Sequence, residues 1–181
     1  MKILKRVLVG LLVIIAVPLI VALFLEKSYI VEREIVINRP KTDVFAYIKM
    51  LKNQDQYSRW AMMDPFMKKA YVGVDGTVGF VSAWDSDNDK VGEGEQEIKA
   101  IVEGERLDFE LRFFEPFKST QSAYMTTSAV SDTETRVIWG FNGHMQYPMN
   151  LLLLFMDMKK MIGGDLQTGL VNLKAVLEKN G

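Results

Sequence analysis

Three aspartates at alternate positions resemble the start of a calcium-binding loop. Asp85, Asp87 and Asp89 match positions 1, 3 and 5 of the EF-hand loop. Position 6, where the sharp turn needs glycine, is Lys90, and position 12, where a glutamate should complete the calcium shell, is Gln96. The pattern therefore predicts a solvated hairpin loop and no metal site.

A second group of acidic residues follows, also at a spacing of two. Glu93, Glu95 and Glu97 would share one face of a strand, with Gln96 and Ile98 on the other face. The glutamates are expected to face water. Gln96 would then point inward with Ile98, which makes Gln96 the polar residue of interest.

Nucleophilic catalysis has little support in this sequence. The chain contains no cysteine, which excludes disulfides, thiolate metal sites and cysteine nucleophiles. His144 is the only histidine, and no local motif supplies a serine and a carboxylate to complete a triad. Strand alternation puts His144 opposite Trp139 and Phe141, so we expect it at the rim or the surface.

An uncharged run near the N-terminus is long enough to cross a bilayer. Residues 7–25 carry no charge and would span about 28 Å as a helix. Bulky residues surround Ala22 where a signal peptidase needs small ones, which favours an uncleaved anchor. Lys2, Lys5 and Arg6 precede the run, so the N-terminus is predicted to be cytoplasmic and the domain extracytoplasmic, at the cell membrane.

The remaining chain has the size and charge of one globular domain. We divide the 181 residues into a cytoplasmic tip and transmembrane helix, 1–27, and a single domain, 28–181. The formal net charge is −1, and the basic residues of the tip leave the domain mildly acidic. Such a domain lacks the clustered basic face that nucleic-acid binding requires.

Hydrophobic periodicity predicts an α+β domain. Residues 29–37 alternate as a first strand, and two short helices should follow between Pro40 and Trp60. Six further strands are predicted at residues 68–74, 77–85, 90–102, 106–114, 119–130 and 134–145. A helix from Pro148 to about Lys179, interrupted at Gly163–Gly164, would pack on the curved antiparallel sheet of about seven strands.

Seven segments follow one another in a recognisable order: IVINRPKTDVFAYI, Trp60 with Asp64-Pro65, FVSAWDSD, VGEGEQEI, LRFFEPF, Thr135 with Val137 and Trp139, and GLVNLKAVLE. In this order they resemble the START-like (SRPBCC) superfamily, which includes polyketide cyclases, plant pathogenesis-related allergens and lipid-transfer domains. The resemblance covers residues 29–181 and is to polyketide cyclase/dehydrase-like, lipid-binding members. It implies a helix-grip fold with a hydrophobic cavity between the long helix and the sheet, and it supplies no catalytic residue and no cofactor.

Aromatic and aliphatic side chains on the predicted elements are the candidates for lining such a cavity, because ligand pockets combine apolar walls with a few polar groups. The predicted ligand-binding residues are Phe80, Trp84, Gln96, Phe109, Leu111, Tyr124, Trp139, Phe141 and Met156.

Three functions remain open. The first is a membrane-anchored carrier or sensor that binds a hydrophobic small molecule or lipid. The second is a cyclase or dehydratase type of enzyme, in which Gln96, Tyr124 or Arg112 orients a polar substrate. The third is a protein-interaction scaffold that uses Leu151 to Met156, because six consecutive apolar residues exceed what one helical stripe can bury.

Overall fold

The first element is a long apolar helix that stands apart from the rest of the protein. A computed structural model describes residues 2–179, and α1 occupies Lys2–Phe24. Of its residues only Ala22 is buried. Packing against the domain therefore does not account for the apolar composition of α1.

Seven antiparallel strands form one sheet. They are β1 (Ser28–Ile37), β2 (Lys68–Val72), β3 (Val81–Asp85), β4 (Glu93–Val102), β5 (Arg106–Glu115), β6 (Ser119–Ser131) and β7 (Glu134–His144). Their order across the sheet is β1-β7-β6-β5-β4-β3-β2. Strands β2 to β7 form a meander in which sequential strands are neighbours, and β1 returns beside β7. The predicted seven-stranded antiparallel sheet is confirmed.

The helical elements lie on one face of this sheet. They are α2 (Lys41–Lys49), a first 3₁₀ helix (Leu51–Gln56), α3 (Arg59–Met63), a second 3₁₀ helix (Met149–Leu154) and α4 (Met158–Lys179). Leu166, Leu170, Leu173 and Leu177 of α4 are buried, as the apolar stripe predicted. The α+β helix-grip architecture is thus confirmed.

The start of the last helix differs from the prediction. A short 3₁₀ helix ends at Leu154, and α4 begins only at Met158. The Asp157 carboxylate accepts a hydrogen bond from the backbone N–H of Lys160 at 2.9 Å, which is the geometry of a helix N-cap. The predicted interruption at Gly163–Gly164 is wrong, because α4 continues through both residues.

Strands β2 and β3 are shorter than predicted because their connection is longer than a two-residue turn. Gly73, Gly76 and Gly79 adopt φ values of 90°, 77° and 86°, a conformation that favours glycine, and they lead the chain through an extended loop. The carboxylate of Asp75 in this loop accepts the backbone N–H groups of Leu51 and Lys52, at 2.8 and 3.2 Å. The loop thereby caps the first 3₁₀ helix.

Candidate functional site

An internal cavity lies between the concave face of the sheet, α4 and the segment from Leu51 to Ala61. Its volume is about 210 Å³. That is below the roughly 300–1,000 Å³ of pockets for drug-sized ligands, so the space suits a compact molecule or part of a longer one. Its lining comprises Leu51, Gln54, Asp55, Ser58, Trp60, Ala61, Met67, Lys69, Ser82, Trp84, Lys90, Val91, Gln96, Leu111, Phe113, Ala123, Trp139, Phe141, Ile162 and Leu166.

Aromatic rings make up much of the wall. Trp84 meets Phe113 edge to face with ring centroids 6.0 Å apart, and Trp60 meets Trp139 in the same way at 6.4 Å. Such pairs hold large apolar rings in defined orientations. Gly94 makes room for one of them, because a Cβ there would approach Trp84 Cζ2 to 2.7 Å. The wall is therefore preformed.

Four uncharged polar side chains interrupt the apolar lining: Gln54, Ser58, Ser82 and Gln96. The Gln54 Nε2 atom is buried, and within residues 2–179 no hydrogen-bond partner lies in reach with good geometry. A buried donor without a partner costs free energy, and in a native structure it calls for an explanation such as a ligand. A rotation of the Gln54 side chain toward the cavity would let this amide donate to an oxygen of a guest molecule.

One ion pair borders the cavity. Lys69 Nζ lies 2.9 Å from Asp55 Oδ1, and both side chains are partly exposed. The Tyr71 hydroxyl donates to the other Asp55 oxygen at 3.2 Å. Partial burial, followed in size by the neighbouring Asp55 carboxylate, raises the pKa of Tyr71 above its usual value.

The structure brings together five of the nine residues predicted to bind ligand. Trp84, Gln96, Leu111, Trp139 and Phe141 all line the cavity. Gln96 lies beside Leu111 of the neighbouring strand, on the inward side that the alternation of β4 predicted.

Three of the other predicted residues lie elsewhere. Phe80 and Phe109 belong to the packed core, where each is almost fully buried among other side chains. Phe80 stacks on Tyr71 with ring centroids 6.1 Å apart. Met156 instead lines an open groove of about 570 Å³, between the end of α1 and the second 3₁₀ helix.

Tyr124 is on the opposite, outer face of the sheet, so its predicted place in the cavity is wrong. Its hydroxyl donates to the Glu32 carboxylate, and the Arg106 guanidinium lies 4.2 Å from its ring centroid. The ring covers Gly140, where any Cβ would overlap it. Partial burial, and then the hydrogen bond to Glu32, raise the pKa of Tyr124 to about 12.

Arg112 also lies outside the cavity, in a cluster with three glutamates. Its guanidinium bonds Glu95 at 2.5 Å, Glu97 at 2.7 Å and also Glu110. The hydrogen bond from Arg112, and then the one from Lys99, hold the pKa of Glu97 below its usual value. Of the three residues named for the enzyme hypothesis, only Gln96 reaches the cavity.

Replacing Arg112 with methionine should destabilise the protein by about 1–2 kcal/mol at pH 7, because three carboxylates then repel one another. A carboxyl with a lowered folded-state pKa stabilises the fold above its unfolded pKa of about 4.3, and that contribution disappears as pH falls through the folded value. The difference in the free energy of unfolding between wild type and variant should therefore become smaller below about pH 4. Thermal unfolding at pH 7 and at lower pH measures this difference. The control is Lys68→Met, which breaks a single exposed ion pair with Asp85. If Arg112→Met lowered the free energy of unfolding equally at both pH values, the stabilising role of the Arg112 cluster would be contradicted.

The remaining chemistry-bearing residues are at the surface. His144 is exposed, and its Nδ1 lies 2.9 Å from the Ser28 hydroxyl. Asp85 forms an ion pair with Lys68 at 2.8 Å. In the loop after Asp85, the Asn88 side chain accepts a hydrogen bond from the backbone N–H of Lys90 at 3.0 Å. Within residues 2–179, no three histidine or carboxylate side chains are arranged to hold a metal ion.

The segment that closes the cavity was missed by the sequence predictions. Gln54 comes from the first 3₁₀ helix, Ser58 from the N-cap of α3 and Trp60 from α3 itself. Ile162 comes from the first turns of α4. The pattern from Leu51 to Trp60 is mostly polar, and a polar pattern signals exposure. The signal that could have been used is Trp60, a large aromatic residue at the end of this polar stretch.

Comparison with known proteins agrees with this architecture. Residues 29–178 match the family described as polyketide cyclase / dehydrase and lipid transport. No match to a curated protein was found.

Solved structures share the fold at low sequence identity. The crystal structure of Ara h 8.0201 is 14% identical with a TM-score of 0.58, over 84% of this chain and 99% of that chain. Truncated norcoclaurine synthase from Thalictrum flavum is 8% identical with a TM-score of 0.63, over 83% and 93% of the two chains. Protein MLL2253 from Mesorhizobium loti is 13% identical with a TM-score of 0.58, over 86% and 99%. At these identities the likeness concerns the fold alone, whereas the match over residues 29–178 identifies the chain as a member of the polyketide cyclase / dehydrase and lipid transport family.

Proposed function

We propose that the protein is a membrane-anchored carrier or sensor that binds one hydrophobic small molecule or lipid inside the sheet. The observation that carries this proposal is the aromatic-walled cavity of about 210 Å³, whose lining includes the polar residue Gln54. Apolar walls with a few oriented polar groups are the usual composition of small-molecule sites. An interaction scaffold needs no such space.

The length and exposure of α1 support the anchor. Its 23 residues reach about 35 Å, which exceeds the roughly 30 Å hydrocarbon thickness of a bilayer. Asn150, fully buried, donates to the backbone oxygen of Ala22 at 2.7 Å and to that of Leu25 at 3.4 Å. Removal of α1 as a signal peptide would remove the contact with Ala22, so this contact favours an uncleaved helix. The basic residues before α1 favour a cytoplasmic N-terminus and an extracytoplasmic domain.

The lining also limits the class of ligand. The Gln54 amide requires an acceptor, such as a carbonyl, ether or hydroxyl oxygen. The aromatic walls favour a flat or flexible apolar body, and the volume favours a compact molecule or one segment of a lipid. A fully charged headgroup would have to stay at the Asp55–Lys69 side.

Native mass spectrometry of the full-length protein in detergent tests the proposal. Delipidated protein incubated with membrane extract should recover one class of oxygen-containing apolar molecule. Gln54→Leu should weaken that binding up to about tenfold, the equivalent of ~1.4 kcal/mol for a lost hydrogen bond. Gln56→Leu is the matched control, since Gln56 is exposed and bonds Tyr47 outside the cavity. Recovery of no small molecule by any of the three proteins would contradict the proposal.

An enzyme is the second candidate, favoured by the Asp55–Lys69 pair beside the cavity, which could move a proton. The same experiment separates the two functions. A carrier returns its guest with unchanged mass. A dehydratase returns a product that has lost water, whereas a cyclase returns an isomer of equal mass, which chromatography of the released molecule separates from the substrate. In either case Asp55→Asn then returns the unaltered molecule.

A further inference from the structure

The connections between strands are divided between two ends of the sheet, and one of these ends adjoins α1. Ser28, the first residue of β1, lies opposite His144, the last residue of β7. Asp85, at the end of β3, lies opposite both Lys68 and Glu93, the first residues of β2 and β4. The segments 64–67, 86–92, 116–118 and 145–157 therefore emerge at the same end of the sheet as α1, which we call the anchor end.

The four most exposed phenylalanines of the chain are all at the anchor end. Phe24, Phe66, Phe117 and Phe155 have 85%, 94%, 73% and 83% of their surface exposed. They come from four separate segments: the end of α1 and the connections before β2, before β6 and before α4. Exposed large apolar groups gathered at one end of a domain indicate an interaction surface.

The chain holds this surface close to the end of α1. Only residues 25–27 separate α1 from β1, so the two can be no more than about 14 Å apart. Asn150 also bonds the second 3₁₀ helix to the last carbonyls of α1. If α1 spans a bilayer, the start of β1 must therefore lie close to its interfacial layer, which is only about 5–8 Å thick. The rest of the anchor end reaches that layer when the sheet stands with this end toward the bilayer.

Charges at the anchor end are mixed. The ionisable side chains of its connecting segments are Glu26, Lys27, Asp64, Asp87, Asp89, Lys90, Lys118, Asp157 and, at the start of α4, Lys159 and Lys160. Lysines and carboxylates balance, so a polybasic attraction to anionic lipids is not available. Insertion of apolar side chains is therefore the remaining source of affinity between the anchor end and a bilayer.

We propose that Phe66, Phe117 and Phe155 insert into the interface of the bilayer that α1 spans, so that the domain docks on the lipid surface. This inference rests on the proposed membrane-spanning role of α1. The cavity is in the same half of the domain, since Met67, Phe113 and Ile162 come from the anchor-end parts of their elements. The other half is filled by core side chains such as Ile37 and Leu177. A docked domain therefore receives its guest from the bilayer without passage through bulk water.

Site-specific fluorescence tests the docking. Because the chain contains no cysteine, a single introduced cysteine labels one position only. Phe66→Cys and Phe117→Cys are labelled in the full-length protein, inserted into phosphatidylcholine vesicles with nitroxide-bearing acyl chains. Val74→Cys is the matched control, as Val74 is 70% exposed in the β2–β3 connection at the opposite end. We expect severalfold stronger quenching at Phe66 and Phe117 than at Val74, unchanged by raised salt. Equal quenching at both ends would overturn the proposal.

A second variant separates docking from folding and from ligand binding. Phe66→Ser combined with Phe117→Ser should reduce lipid quenching of a label at Phe155→Cys while thermal unfolding stays unchanged, since both rings are exposed. Undiminished quenching would contradict cooperative docking of the three rings. The quenching is measured without a cavity ligand, so docking can be detected even if native mass spectrometry finds no guest. Likewise, native mass spectrometry can find a guest even if the domain does not dock.

Discussion

Ala123→Leu should weaken ligand binding at least tenfold while leaving the fold intact. Ala123 is a small, buried side chain on β6 that lines the cavity between Phe109 and Phe141 of the neighbouring strands. Three added carbons would project into free space rather than into packed atoms, so they fill the cavity without overpacking the core. We expect affinity for the recovered guest to fall at least tenfold, ~1.4 kcal/mol, with the unfolding temperature unchanged or raised.

The control for this change is Ala129→Leu on the same strand. Ala129 is exposed, far from the cavity, and should bind the guest as wild type does. Native mass spectrometry gives the bound fraction, and thermal unfolding reports the fold. Retained binding by Ala123→Leu would show that the guest occupies some other place, such as the groove beside Met156.

Phe109→Ala should cost far more stability than Phe113→Ala, although the two residues share a strand and a face. Phe109 is almost fully buried in the packed core, and truncation there leaves a void that costs about 3–5 kcal/mol. Phe113 borders space that is already open, so its truncation should cost on the order of 1 kcal/mol but should weaken guest binding.

Urea unfolding of the full-length protein in mild detergent measures this difference, and the two variants are controls for each other. Similar unfolding midpoints would mean that the boundary between solid core and cavity does not fall between these two residues. A guest affinity reduced equally by both changes would lead to the same conclusion.

Most of the fold follows from local periodicity. The alternation of β5 and β7 predicted their bounds to within one residue, since a period of two is strong wherever one face is buried. The same rule put Gln96 inside and the neighbouring glutamates outside. The same alternation explains the error at Tyr124. Ala123 and Met125 are the inward residues of β6, so Tyr124 between them faces outward. It was assigned to the cavity because it is aromatic, against its position in the strand.

The depth of a side chain along the sheet could not be predicted in this way. Alternation assigns Phe109 and Phe113 to one face but does not tell which of them contacts packed neighbours and which one faces open space. That depends on where α3 and α4 cross the strands, which is a tertiary property. The ordered segment from Leu51 to Trp60 shows the same limit. This polar stretch became part of the cavity wall through long-range contacts, such as the hydrogen bond that the Leu51 N–H donates to the Asp75 carboxylate.

The bond between Asn150 and α1 has a mechanical consequence. The domain is attached to the helix twice, covalently through residues 25–27 and non-covalently through the Asn150 amide. A single flexible linker would let the domain rotate freely relative to α1, and the second attachment restricts that rotation. A change in the tilt of α1 would therefore pull on the second 3₁₀ helix, which leads into α4, and Ile162 and Leu166 of α4 form part of the cavity wall.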